Sequence, residues 1–138
     1  MKHKTAELEG ALLDAAVAMA DGYSPSLAAP KHFELRDAQS RWEHPACYLV
    51  EAHESFPRGG LTRWFYPSQH WSDGGPIIER EGITIERRAE PTRRDWRACM
   101  AIAARSGVGA GPWAGSTPLE AAMRAYVASK FGDEVELP

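Results

Sequence analysis

Along the chain the spacing of apolar residues changes several times, and each change marks an element. Between Gly10 and Asp21, Leu12, Leu13, Ala16, Val17 and Ala20 recur at helical spacing. Gly22 follows as a stop, so the pattern predicts one helix of about three turns. Before it, residues 2–8 are mixed and predict a brief edge strand. From Tyr23 to Pro45 the prolines Pro25, Pro30 and Pro45 predict a long loop with at most a short strand near His32–Leu35. Ala46–His53 is rich in strand-forming residues. A turn over Ser55–Gly60, around Pro57 and the Gly59-Gly60 pair, and a second strand over Leu61–Tyr66 complete a predicted hairpin.

The stretch Tyr66–Ile83 is the most particular in the chain. Ser68 offers a cap to a short turn containing Trp71. Gly74 and Gly75 admit backbone angles that a Cβ resists, and Pro76 opens another short helical turn. Beyond Gly82, Ile83, Ile85 and Arg87 alternate with Thr84, Glu86 and Arg88, the period of a half-buried strand. Glu90–Asp95 is a charged turn around Pro91. Trp96, Ala98, Met100 and Ile102 share one face of a further strand. Ser106–Ser116 is a glycine-rich connection around Trp113. The clearest helix follows: Thr117 caps it, Pro118 takes its first position and Glu120 closes a capping box. Leu119, Ala122, Met123, Tyr126 and Val127 form its stripe, Lys130 suits its last turn and Gly132 stops it. Asp133–Pro138 predicts a last edge strand. The sum is α+β: an antiparallel sheet of four to five strands with an N-terminal and a C-terminal helix, in one domain spanning residues 1–138.

Composition narrows the function. The chain is 43% hydrophobic and 25% charged, with net charge −3, which fits a folded protein and disfavours nucleic acid as a partner. Seven arginines between Arg80 and Arg105 are interleaved with four acids, the mark of a solvated mixed-charge face. Cys47 and Cys99 are expected as reduced thiols. No apolar run approaches the roughly 20 residues of a membrane span, and Glu7, Glu9 and Asp14 interrupt any signal-peptide core, so a cytoplasmic location is expected.

Candidate chemistry is sparse. His44, Cys47 and His53 match no zinc spacing, and no metal or other cofactor is expected. His70 with Asp73 or Glu79 could serve a small hydrolase, although carboxylates and histidines so placed are more often turn-forming or solvated groups. The backbone at Ser116–Leu119 could hold an anion such as a nucleotide, but Gly107-Val-Gly-Ala-Gly-Pro is neither a P-loop nor a dinucleotide fingerprint. Trp42 and Trp113, in polar or glycine-rich surroundings, suggest contact with a partner or ligand.

Three blocks taken together resemble the NinX-like proteins of phages and prophages. They are Met1-Lys-x-Lys-Thr-x-Glu-Leu-x-Gly10 running into Leu13-Asp14-x-Ala-Val-Ala; Ser68-x-x-Trp71-x-x-Gly-Gly-Pro-Ile-Ile-Glu-Arg-Glu-Gly-Ile83; and Thr117-Pro-Leu-x-Ala-Ala-Met-Arg-x-Tyr-Val-Ala-Ser-Lys-x-Gly-Asp-Glu-Val-Glu136. They cover a little under half the chain. Where the family often carries Asp before Trp71, His70 stands here, and Tyr23–Pro57 matches no pattern. The resemblance implies a small phage or prophage accessory protein with no assigned activity. The expected function is non-enzymatic binding of a host or phage protein, as a possible homo-oligomer. Capture of a small anionic ligand is the alternative, and the His70 hydrolase a second. The expected contact residues are Trp71, Asp73, Gly74, Gly75, Glu79, Trp113, Ser116 and Thr117.

Overall fold

The computed structural model describes residues 2–28, 32–35, 38–41, 46–53, 56–87, 96–100 and 112–137. The expected turn at Glu90–Asp95, the Gly107–Gly111 run, Ile102, Trp42 and His44 lie outside them. The architecture is α+β, and every strand pair among the described residues is antiparallel. Strands β1 (Lys2–Lys4) and β10 (Glu134–Glu136) form a ribbon, with Lys2 opposite Glu136 and Lys4 opposite Glu134. β2 (Ser26–Ala28), β5 (Ala46–His53) and β6 (Phe56–Trp64) make a three-stranded sheet, and β3 (His32–Leu35) pairs with β4 (Ala38–Arg41). β7 (Ile83–Arg87), β8 (Trp96–Met100) and β9 (Trp113–Gly115) make a second three-stranded sheet.

Helices α1 (Gly10–Ala20) and α3 (Pro118–Phe131) are the two expected from the apolar periodicity; α2 (Trp71–Glu81) is a third. α3 is the axis of the core, packed against β7, β8 and β9 and against α1 and α2. Its residues from Ala121 to Val127 are buried all round, not along one stripe. Alanines at 121, 122, 125 and 128 let neighbours approach closely. A Cβ on Gly115 of β9 would run into the Ala121 backbone. Arg124, 1% exposed, is accommodated there because Nε donates to the Leu8 carbonyl at 2.8 Å and Nη1 to the Ala114 carbonyl at 2.8 Å. Its charge is paired with Glu120 at 2.9 Å. A buried guanidinium is tolerated only when it is paired and hydrogen-bonded in this way.

Several sequence expectations change. The segment 23–45 carries three short strands, not at most one, because β2 finds a partner in β5 and β3 in β4. Pro57, Gly59 and Gly60 lie within β6, not in a turn. Pairing jumps from Glu51–Leu61 to His53–Phe56, and this irregularity absorbs the residues that cannot sustain a regular ladder. Trp113 stands on β9 opposite Ala98, packed against the core, not in a loop. Cys47 and Cys99 are free thiols on different sheets. No helix among the described residues is long and apolar enough to cross a membrane.

Candidate functional site

The two short turns expected around Trp71 and Pro76 are one continuous helix, α2, with His70 at its N-cap. Ser68 does not cap it. Pro76 lies inside, where its missing N–H leaves the Ser72 carbonyl unbonded by the helix; Ser72 is exposed, so solvent can take that bond. Gly74 and Gly75 have ordinary helical angles, and the left-handed residue is the C-cap Gly82, at φ 62°. What the two glycines provide is space. A Cβ on Gly74 would collide with the Pro67 carbonyl oxygen and come within 2.7 Å of Leu119 Cδ2. The helix is thereby seated on the Tyr66–His70 turn and on the start of α3.

Two aspartates from different helices hold that turn. Asp73 Oδ2 accepts the Tyr66 N–H at 3.0 Å, and Asp14 Oδ1, from α1, accepts the Ser68 N–H at 2.8 Å. Asp14 is fully buried and Ser68 nearly so. Asp14 Oδ2 and Ser68 Oγ are both without a hydrogen-bond partner among the described residues. Burial pushes the Asp14 carboxyl up to about 7, against the lowering effect of the nearby Ser68 hydroxyl and N–H, and the Asp73 charge raises it further. Burial, then the Asp14 charge, pushes the Cys47 thiol up to about 12 and raises the Tyr66 phenol. At its far end α2 is tied down by Arg80, whose Nη2 donates to Asp21 Oδ1 at 2.7 Å and to the Tyr126 hydroxyl at 3.2 Å. Tyr126 itself donates to Asp21 at 2.5 Å.

The expected contact residues divide. Asp73 and Gly74 face inward and build the turn. Thr117 caps α3, accepting the Glu120 N–H at 3.1 Å. The Glu120 carboxylate accepts the Ser116 N–H at 3.2 Å and pairs with Arg124, so an internal carboxylate already sits where an anion would. Trp113 lines an open cavity of about 820 Å³ with Phe131. There Lys2 and Lys4 stand opposite Asp133, Glu134 and Glu136, and the Ser116–Thr117 backbone is not part of the lining. Trp71, Gly75 and Glu79 remain together on the solvent side of α2. Trp71 is 56% exposed. Before the helix, Trp64 and Tyr66 lie parallel with centroids 6.4 Å apart, and His70 packs on Tyr66 at 5.1 Å.

Sequence reasoning misses Asp14, Arg80 and Arg124. Asp14 gives no signal, being one polar residue among apolar ones in a short helix. The Glu120–Arg124 spacing of four is legible as an ion pair. Among the described residues no group of three or more His, Cys, Asp or Glu side chains could hold a metal. The family model described as Bacteriophage P22, NinX, matches residues 4–130, a span that includes Tyr23–Pro57. No curated protein matches the chain.

Proposed function

This chain belongs to the bacteriophage P22 NinX family, and from that membership and the solvent side of α2 we propose a phage accessory protein that binds a host or phage protein in the host cytoplasm, without catalysis. The exposed Trp71 carries the reading. A large aromatic side chain left more than half in water, on a helix anchored at both ends, is a preorganised contact of the kind that dominates protein interfaces. Trp64, Tyr66 and His70 form a separate aromatic cluster leading into the N-cap of the same helix.

The rival chemistry has less support. Asp73 is directed at the Tyr66 N–H, and the His70 ring packs on Tyr66. Glu79 stands more than two turns further along the helix, out of reach for an acid–base pair. The α3 N-terminus is occupied by Glu120.

The test is affinity capture from phage-infected host lysate with the wild-type chain, Trp71→Ala and Leu12→Ala, the last removing an exposed apolar residue of α1. One protein held by wild type and Leu12→Ala and released at least tenfold by Trp71→Ala is expected. Equal capture by all three, or native mass spectrometry showing a small molecule carried from the cell, overturns the proposal.

A further inference from the structure

Gly75 is a glycine that the fold does not require. It has no positive φ, and a Cβ built on it meets a single neighbour within 4 Å, Trp71 Cε3, at an ordinary contact distance of 4.0 Å. Glycine is a poor helix former, so this position carries a stability cost that packing does not explain. Residues 71, 75 and 79 lie at i, i+4 and i+8, one row along the exposed side of α2. The row runs from an indole, across a position with no side chain, to a carboxylate. Trp71 and Glu79 are roughly 12 Å apart along the axis, and helical side chains lean toward the N-terminus, so the Glu79 side chain extends in the direction of Gly75.

Arg80 is the neighbouring cation, and it is engaged by Asp21, Glu81 and Tyr126. Glu79 is exposed, and its carboxylate makes no hydrogen bond or ion pair among the described residues. A flat aromatic face, an open floor and an unneutralised carboxylate in line fit one side chain above others. Guanidinium is planar, stacks on indole and forks onto a carboxylate, whereas an ammonium is a compact, strongly hydrated point charge that does not stack. A phosphate or nucleotide would meet Glu79 as a like charge.

We propose that the Trp71–Gly75–Glu79 row is a receptor for an arginine side chain presented by the partner protein, with the guanidinium flat on the indole above Gly75 and forked onto Glu79. This rests on the solvent side of α2 being the partner surface.

The experiment follows the Trp71 indole N–H resonance in the full chain, assigned by its loss in Trp71→Ala. The probes are acetyl-Gly-Arg-Gly-amide, its lysine counterpart and AMP, each at millimolar concentration. A saturable shift with the arginine probe is expected, at least fivefold weaker with lysine and absent with AMP. Glu79→Gln and Gly75→Ala should each weaken the arginine response at least threefold while the folded spectrum is kept. An equal response to lysine, or a stronger one to AMP, overturns the assignment. The same variants separate the two levels in the capture assay. Capture lost with Trp71→Ala but kept with Glu79→Gln and Gly75→Ala defeats the arginine assignment alone. Capture indifferent to Trp71→Ala defeats the partner surface itself.

Discussion

Gly74 and Gly75 are adjacent on one helix, yet they meet opposite surroundings. Toward Gly74 the protein is closed: Pro67, Leu119, Ser68 and Asp14 are all buried around the turn that seats α2. Toward Gly75 it is open, with an exposed indole on one side and an exposed carboxylate on the other. The inner side determines where α2 sits, and the outer side determines what it shows. A pair that reads as one motif in sequence therefore serves two separate ends, and substitutions on the two sides should separate stability from binding.

The largest effect lies at Asp14. Its carboxyl is pushed up to about 7 in the folded protein, so the folded state holds a proton that the unfolded state releases near the ordinary aspartate value. The stability linked to this group is full below about pH 4 and is lost as pH rises toward about 7, on the order of 4 kcal/mol. Denaturant melts should show wild type losing stability across that window and Asp14→Asn staying flat. The new amide keeps an oxygen for the Ser68 N–H and gains a donor for Ser68 Oγ, which has no partner among the described residues. The variant should therefore be the more stable of the two at about pH 8. Next is Gly74→Ala, expected to cost about 3 kcal/mol because the nearest atom is backbone and cannot rotate away; urea midpoints measure it. Thr117→Ala removes the cap of the helix that Gly74 packs on and should cost about 1 kcal/mol. Smallest and opposite in sign, Gly75→Ala should raise stability by roughly 0.5–1 kcal/mol while weakening the arginine response. If it destabilised instead, the outer side would be packed as tightly as the inner, and the contrast between the two glycines would vanish.

The same division governs what the sequence discloses. α3 is legible because its signals are local: Thr117, Pro118, Glu120 and Gly132 specify both its ends. α2 reads as two short turns because Gly74, Gly75 and Pro76 are poor helix formers, and propensity is all that a local reading sees. It is held as one helix by contacts from distant parts of the chain, Asp14 to Ser68 and Arg80 to Asp21 and Tyr126, which override propensity. Strands β2 and β4 escape a local reading for a related reason, since short strands exist only by virtue of partners the sequence does not name. At the site, Trp71, Gly75 and Glu79 share a row only because α2 is one helix, which a reading as two turns does not foresee. Asp73 and Gly74 turn out to lie on its inner side, and Trp113, Ser116 and Thr117 belong to other parts of the fold.

The ribbon of β1 with β10 has a consequence in time. Thr5 donates its N–H to Asp133 and its hydroxyl to Gly132, Arg124 reaches Leu8, and Lys2 is paired with Glu136. None of these contacts can form until the far partner has been synthesised, and at ordinary ribosomal speeds the interval is on the order of ten seconds. Meanwhile α1 can pack on β5 and β2, but its contacts with α3 must wait. Closure of so long a loop must precede these contacts, so this part of the fold forms only once β10 has been made. A chain ending just upstream of Glu134 would carry α1, α2 and α3 but lack this last pairing, and lower stability than the full chain is expected of it.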